Sequence, residues 1–280
     1  MARVNENLDA LRQEAPGFTS ASMTATVADL PWTVRLAEGE DDLRAAQRLR
    51  YRVFVEELGG DGPLVDHDAK LEIDDFDPVA EHLLLEDPAR PESDRIVGVY
   101  RLMDRRAAEA AGGFYSAAEF DLGPLLAGER PVLELGRSCL HPDYRGGLGM
   151  RALWSALAEL VRARGVEILF GTASFHGTDL AALADPLRLL HRDHLAPEDL
   201  RARAQGAGAV PLSVFGTGPV DRRAALRQVP ALIKAYLRLG GVIGEGAFVD
   251  RQFNTTDVLT ILDMGRVRPD AARRAVGTAP

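Results

Sequence analysis

One segment near the middle of the chain constrains the fold more than any other. VLELGRSCL (132–140) is rich in branched apolar residues and predicts a strand. A turn with three glycines follows, and a helix is predicted from about Leu148 to Arg164, with leucines on one face and a stop at Gly165. VEILFGTASF (166–175) is then a nearly continuous apolar strand. The segment therefore predicts a strand–turn–helix–strand unit.

The pattern on either side of this unit sets the fold class. EHLLLED (81–87) and RIVGVYRLM (95–103) predict an antiparallel pair of strands that precedes the unit. Before this pair, a strand is predicted at 33–37 and a helix over Asp41–Leu58. After the central unit, two short helices broken near Pro197 are predicted within 184–204, and a third helix over Pro230–Leu239. Strands at 246–250 and 257–264 follow. Because adjacent strands come before the unit, the pattern favours a single α+β domain around a mixed, mostly antiparallel sheet flanked by helices, not a doubly wound fold.

The length of 280 residues suits one large domain with additions. Residues 1–31 are interpreted as a flexible tail or a surface helix, and residues 269–280 as a second flexible tail. The domain itself is predicted to span 32–268, with a helical insertion at about 176–240.

Composition excludes several classes of protein. The net charge of −9 argues against nucleic-acid binding, which needs a basic face. Cys139 is the only cysteine, so no intramolecular disulfide can form and a reducing cytoplasm is the expected location. Its apolar strand favours a buried thiol over an acyl-carrying nucleophile. No run of 18 apolar residues is present, so an integral membrane protein is not expected.

The glycine turn has the composition of an anion site. It comprises Arg145, Gly146, Gly147, Leu148, Gly149 and Met150. Glycine allows close approach to the backbone, and a helix start offers unpaired N–H groups to a phosphate. A Walker loop would need Gly-Lys-Ser/Thr, and a dinucleotide fingerprint would need G-x-G-x-x-G; neither is present. Two interpretations remain. One is a tight turn with no ligand. In the other, the turn resembles the phosphopantetheine-binding turn of N-acetyltransferase-type acyltransferases, although Leu148 and Met150 stand where small residues are usual in that family.

Several ordered segments resemble acyl-homoserine-lactone synthases. LRYRVFVEELGG, EIDDFD, IVGVYRL and ELGRS place matching residues at Arg50, Phe54, Asp74, Asp77, Arg101, Glu134 and Arg137. The run PALIKAYLRLGGVIGEGAFVDRQFNTTDVLTILDMGRV is similar to another branch of the superfamily, the ornithine N-acyltransferases, which make the lyso precursor of ornithine lipids. The resemblance covers roughly residues 33–266 and implies an N-acetyltransferase-like (GNAT) fold.

The resemblance also implies a reaction. The donor would be a 3-hydroxyacyl chain on acyl carrier protein, whose phosphopantetheine lies at residues 145–150, and the acceptor would be the α-amine of L-ornithine. An amine must lose a proton to attack a thioester, and Glu134 is predicted as the base. The alternative for Glu134 is an ion pair with Arg137. No metal and no permanently bound cofactor are implied.

The acceptor is expected to meet a charged pocket. Arg101 and Arg137 are predicted to hold its carboxylate, while Asp74 and Asp77 hold its side-chain amine. The alternative is that these four residues pair with each other and lock the acidic loop DHDAKLEIDDFD (66–77). Arg50 and Phe54 are assigned to substrate binding by the resemblance alone.

Other functions stay open at this stage. One is a related transferase that uses glutamine, and another is an acyl-homoserine-lactone synthase that uses S-adenosylmethionine. A third is a non-catalytic module that binds acyl chains or carrier protein. Contact with the inner membrane surface is a further expectation, because the product is amphipathic and the helix at 231–239 has an apolar face; core packing is the alternative for that helix.

Overall fold

A computed structural model describes residues 31–145, 148–216 and 218–267. The two predicted tails lie outside this part of the chain, apart from Pro31. Gly146 and Gly147 of the glycine turn also lie outside it.

A central sheet of nine described strands runs through the domain. Its strands are β1 Thr33–Leu36, β2 Glu81–Glu86, β3 Ile96–Asp104, β5 Val132–Leu140, β6 Ile168–His176, β8 Ala209–Val210, β9 Val242–Ile243, β10 Ala247–Asp250 and β11 Thr255–Asp263. Their order in the sheet is β1-β2-β3-β5-β6-β11-β10-β8, and β9 also pairs with β11. A separate pair joins β4 Phe120–Asp121 to β7 Arg203–Ala204. Neighbouring strands are antiparallel except for the parallel pair β5–β6. The predicted α+β class with a mixed, mostly antiparallel sheet is confirmed.

The parallel pair opens into a fork. Strand β5 pairs with β6 only from Val132 to Glu134, opposite Ile168–Phe170, and the two strands then separate. Gly171 lies where they part, and a Cβ atom there would come within 2.1 Å of the carbonyl oxygen of Leu135. The close approach at the base of the fork therefore requires glycine at this position.

Helices cover both faces of the sheet. They are α1 Gly39–Arg50, α2 Arg105–Ala111, α3 Gly123–Leu126, α4 Leu148–Ala163, α5 Ala184–His194, α6 Arg222–Gln228 and α7 Ala231–Leu239. The helix predicted over Asp41–Leu58 begins two residues earlier and continues from Tyr51 to Glu57 as a π-helix. Such wider turns are common at functional sites, and this one carries Phe54. Helix α2 was not predicted, because seven residues with little apolar periodicity give no clear pattern.

The amphipathic helices bury the faces that the sequence predicted. Leu153, Leu157 and Leu160 of α4 pack into the main core under β2, β3 and β5. Ile233 and Tyr236 of α7 are also buried, so core packing accounts for the apolar face of that helix. Each fully buried leucine contributes about 1.5–3 kcal/mol. None of the helices in the described ranges has the length and apolar composition needed to cross a bilayer.

Candidate active site

A cleft of about 240 Å³, with both polar and apolar walls, fills the fork between β5 and β6. We call it the fork cleft. Its walls come from β5 and β6, from the π-helical turn, from β11 and from α7, and they include Phe54, Leu135, Gly136, Arg137, Ser138, Thr172, Ser174, Tyr100, Tyr115, Tyr236, Asp250, Phe253 and Asp257. Because β5 lacks its parallel partner beyond Glu134, the backbone groups of Leu135–Ser138 on the β6 side border this space without a strand beside them. These groups can form hydrogen bonds with a ligand that binds along β5.

A bulge in β5 directs Arg137 into the cleft. Arg101 pairs with Gly136 and Val99 with Cys139, so two residues of β5 stand opposite one residue of β3. Arg137 adopts the left-handed conformation, with φ of 48°, which is strained for a residue other than glycine. The bulge thus re-aims an arginine at the fork.

Arg50 is the centre of a buried ion-pair network. It is completely buried and pairs with Glu72 and with Asp77, whose Oδ1 lies 2.6 Å from Nη1. Gln47 also donates to Asp77 at 2.8 Å. Burial alone would raise the pKa of Asp77, but the charge of Arg50 and its hydrogen bonds lower it to about 2. Asp77 is therefore ionised and fully partnered.

The same network extends to the cleft through two more arginines. Arg101 pairs with Asp74, and Arg137 pairs with Asp74 at 3.0 Å and with Glu72 at 3.1 Å. Burial opposes ionisation of Asp74, but the charges of Arg101 and Arg137 lower its pKa. The side chains of Asp74, Asp77, Arg101 and Arg137 thus contact one another, which is the loop-locking arrangement. Binding of the acceptor's side-chain amine by Asp74 and Asp77 remains untested, and both carboxylates already have cationic partners.

Aromatic rings support the two arginines that lie nearest the cleft. The guanidinium of Arg137 lies 4.6 Å from the centre of the Tyr115 ring and 5.5 Å from that of Phe253. The guanidinium of Arg101 lies 5.1 Å from the centre of the Tyr115 ring and 5.3 Å from that of Phe76. Cation–π contacts of this kind hold the guanidinium plane in place. Tyr115 is therefore a positioning element for both arginines.

Glu134 lies beneath the cleft and is buried. Its two carboxylate oxygens accept hydrogen bonds from the backbone N–H groups of Tyr115, at 2.9 Å, and Ser116, at 2.7 Å. Burial raises the pKa of Glu134, although these hydrogen bonds oppose the shift. Glu134 is not among the residues that line the clefts. Its predicted role as general base stays a prediction, whereas its contact with the Tyr115 turn is direct.

An apolar pocket adjoins the fork cleft. Leu135 and Tyr236 belong to the walls of both spaces. The pocket lies between α4, α7 and the sheet, and its other lining residues are Trp154, Leu157, Ala158, Val161, Leu169, Leu239, Leu262, Met264 and Val267. A ligand with a polar head in the fork cleft can therefore place an apolar tail here.

A second cleft contains a group of carboxylates. This acceptor-side cleft is lined by residues of the acidic loop and by Tyr115, Glu119, Arg137, Asp250 and Phe253. Carboxylate oxygens of Glu119, Asp250 and Asp257 lie within 4.8 Å of one another, and we call these residues the acidic trio. Burial and the neighbouring carboxylates raise the pKa of Glu119, and burial raises that of Asp257.

The sequence pattern did not identify the acidic trio. Glu119 follows a short 3₁₀ turn without periodicity and lies far in sequence from Asp250 and Asp257. Asp257 offered one signal, because it is a carboxylate inside a strand whose neighbours are buried. A buried carboxylate of this kind requires a partner or an altered pKa.

The raised pKa of Glu119 predicts a pH effect on stability. Because its pKa of about 8 exceeds its ordinary value, the folded protein holds a proton that the unfolded chain releases. Stability should therefore fall as pH rises from 6.5 to 8.5, by at most about 1.4 kcal/mol per pH unit for one proton. The groups that act on Glu119 are Asp257, Asp250, Arg137 and Glu134.

Chemical denaturation across this pH range measures the effect. The buried His82, whose pKa burial lowers to about 4, acts in the opposite sense and mainly below the ordinary histidine pKa of 6.5, so its contribution fades as pH rises through this window. Glu119→Gln should flatten the profile, while the exposed Glu109→Gln should leave it unchanged. An equal slope in the wild type and Glu119→Gln would show that Glu119 is not the titrating group.

The described part of the glycine turn is held by packing and by one ion pair. Arg145 pairs with Glu57 at 2.5 Å, and its Nε donates to the carbonyl oxygen of Leu140 at 3.1 Å. A Cβ atom on Gly149 would lie 2.7 Å from the carbonyl oxygen of Tyr144. Leu148 is exposed, and Met150 packs beside the main core. Phosphate binding by this turn therefore remains a prediction.

Cys139 is buried on β5, next to Leu140. Burial raises its pKa to about 12, so the thiolate is scarce near neutral pH. The predicted buried thiol is confirmed.

Comparison with known proteins finds a matching family model and similar solved structures. A family model described as an acetyltransferase (GNAT) domain matches residues 49–155. Among solved structures, a CoA-dependent acyl-homoserine lactone synthase aligns over 86% of this chain and 84% of its own, with 18% identity and a TM-score of 0.45. The family match covers 107 of the 280 residues and indicates the GNAT class of acyltransferases.

Curated relatives identify the family within that class. The L-ornithine N(alpha)-acyltransferase of Rhodobacter capsulatus is 58% identical over 238 residues, which cover 84% of this chain and 91% of the relative. The protein of the same name from Brucella abortus is 41% identical over 239 residues, covering 84% and 85%. The chain belongs to the L-ornithine N(alpha)-acyltransferase family, as its resemblance predicted.

Proposed function

We propose that this protein transfers a 3-hydroxyacyl chain from acyl carrier protein to the α-amine of L-ornithine and so forms lyso-ornithine lipid. The observation that carries acyl transfer is the junction between the fork cleft, whose walls include polar groups such as Arg137 and Asp257, and the apolar pocket, with which it shares Leu135 and Tyr236. An acyl thioester has the same division into a polar head and an apolar tail. The acceptor follows from the name shared by the relatives.

The donor would enter along β5. Its phosphopantetheine phosphate would bind at Arg145 and the start of α4, where a helix N-terminus favours an anion. The thioester would lie beside Gly136 in the fork cleft, and the acyl tail would pass Tyr236 into the apolar pocket. Backbone N–H groups of β5 beyond Glu134, which have no partner on β6, are suited to stabilise the negative charge on the thioester oxygen.

The acceptor would enter from the acceptor-side cleft. Arg137 lines both clefts and is the cation best placed for the α-carboxylate, with Arg101 behind it. The neutral α-amine would attack the thioester carbon, forming the C–N bond while the C–S bond breaks and the carrier thiol leaves. The amine proton must also be lost, and Glu134 is the proposed acceptor of that proton. The alternative is that Glu134 only fixes the Tyr115 turn, and another group or water takes the proton.

Incubation of the pure protein with 3-hydroxyacyl carrier protein and single amino acids tests the proposal. We expect thiol release with ornithine and a product whose mass equals that of the acyl-ornithine amide. Parallel reactions with glutamine and with S-adenosylmethionine test the two related activities. No thiol release with any acceptor would overturn the enzymatic proposal, and a lactone product would favour a homoserine-lactone synthase.

Arg145→Ala should weaken use of the donor more than use of the acceptor. Loss of one charge-assisted contact to phosphate costs about 1.5–3 kcal/mol, which is roughly a ten- to hundredfold rise in the Michaelis constant for carrier protein. Glu57→Gln is the matched control, because it removes the same ion pair but leaves the Arg145 charge available. Similar rises in the Michaelis constant for carrier protein in both variants would indicate that the effect comes from loss of the ion pair and not from loss of phosphate binding.

The setting of the reaction is part of the proposal. A single cysteine and a carrier-protein donor support a cytoplasmic location. Contact with the inner membrane remains a proposal based on the amphipathic product.

A further inference from the structure

The acidic trio lies in the wall between the two clefts. Asp257 on β11 lines the fork cleft, Glu119 at the end of the Tyr115–Ala118 turn lines the acceptor-side cleft, and Asp250 at the end of β10 lines both. Three separate segments therefore direct carboxylates to the place where acceptor and donor would meet.

Two buried oxygens of the acidic trio have no hydrogen-bond partner among the residues that the structure describes. They are Oε2 of Glu119 and Oδ1 of Asp257. The two residues are only 6% and 5% exposed. Asp250 is partly held, because its Oδ1 accepts the N–H groups of Gln252 and Phe253. Buried carboxylate oxygens rarely lack partners, so these two oxygens are suited to accept hydrogen bonds from a cationic ligand.

Nearby positive charge is already neutralised. The three arginines of the ion-pair network face the three carboxylates of Glu72, Asp74 and Asp77, which balances their charges. No described ion pair joins a cationic side chain to Glu119 or Asp257. A cationic substrate group can therefore be bound by the acidic trio without competing with the protein's own arginines.

We propose that the acidic trio binds the side-chain ammonium of the acceptor amino acid and so selects ornithine over neutral amino acids. This inference rests on the proposed function. Of the two amino groups of ornithine, only the side-chain ammonium keeps its charge, because the α-amine must be neutral to attack. A fixed group of carboxylates suits the group that stays charged throughout the reaction. The raised pKa values of Glu119 and Asp257 agree with a site that lacks its cation.

The arrangement also explains how other acceptors would be rejected. Glutamine offers a neutral amide, and norvaline has the same carbon chain as ornithine but no side-chain amine. Either would leave the buried carboxylates uncompensated, and sites built around a polar partner discriminate strongly against analogues that lack it. We expect the wild type to prefer ornithine to norvaline by about a hundredfold or more in kcat/KM.

Asp257→Asn and Glu119→Gln test the inference. In each variant we expect the Michaelis constant for ornithine to rise about ten- to hundredfold, while kcat/KM for norvaline is unchanged or higher and the constant for carrier protein is unchanged. The melting temperature without substrate should not fall, because each change removes repulsion within the acidic trio. Asp121→Asn is the matched control, since this exposed residue lies two positions after Glu119 and lines neither cleft.

The other outcomes are distinct. Equal losses with ornithine and norvaline would overturn the inference, because the acidic trio would then serve the chemistry or the fold. A melting temperature raised by Mg²⁺ or Ca²⁺ in the wild type and not in Asp257→Asn, with no such effect of ornithine, would indicate a metal site and also overturn it.

Failure of the proposed function can be separated from failure of this inference. If the wild type transfers no acyl chain to any acceptor, ornithine binding is still measurable by calorimetry and by its effect on the melting temperature. Binding of ornithine but not norvaline, lost in Asp257→Asn, would support the acidic trio on its own. Equal or absent binding of both would overturn it.

Discussion

Replacing Arg50 with methionine should lower the free energy of unfolding by about 3–5 kcal/mol. Methionine fills much of the same space but leaves Glu72 and Asp77 buried without their cation. The two carboxylates are almost completely buried, so water cannot replace the lost charge. In a domain of this size the change corresponds to a fall in melting temperature of roughly 6–20 °C. Chemical denaturation and thermal unfolding measure it.

An exposed ion pair on the same helix provides the control. Arg44 pairs with Glu40 one turn away, and both side chains are largely exposed, so Arg44→Met should cost about 0.5 kcal/mol or less. The Arg50 variant should also regain stability as pH falls, because protonation of Asp77 removes the unpaired charge. A loss below about 1 kcal/mol at neutral pH would mean that the network does not hold the acidic loop.

The sequence predicted the elements that have a strong periodic pattern. Strand β5 occupies Val132–Leu140 as expected, and helix α4 ends within one residue of the predicted boundary. In both cases apolar residues recur regularly over the whole length of the element, so the pattern identifies its type and its extent. The same reasoning missed β4 and β7, because strands of two residues contain no repeat and form only when distant segments meet.

The site was harder to predict than the fold. The residues that resemble the related synthases do gather around the fork, but their pairing depends on the burial of each charge. Asp74 and Asp77 contact arginines because the loop packs against α1, β3 and β5, and no spacing in the sequence specifies those contacts. The partners of Glu134 are likewise backbone groups, which any residue could provide. The sequence therefore indicated which residues gather around the fork, but it did not indicate which partner each of them contacts.

Glu134→Gln should reduce turnover about a hundredfold and destabilise the protein by about 1–3 kcal/mol. The carboxylate accepts hydrogen bonds from two backbone N–H groups, one at each oxygen. An amide has only one oxygen, so its NH₂ group would face the second backbone N–H group, donor against donor. The Tyr115 turn should shift as a result, and Arg137, which stacks on Tyr115, should lose its position in the cleft. Steady-state kinetics and chemical denaturation on the same preparation measure both effects, with Glu109→Gln as an exposed control.

The pH profile of turnover distinguishes this positioning role from the predicted role as general base. A positioning residue leaves the acidic limb of the profile in place, because another group or water still takes the amine proton. A general base gives a larger loss, about 10²–10⁴-fold, together with disappearance of that limb and little change in stability. The second pattern would establish Glu134 as the base. The first would follow directly from its two hydrogen bonds, because the substitution then acts through Tyr115 and Arg137 on the geometry of the acceptor.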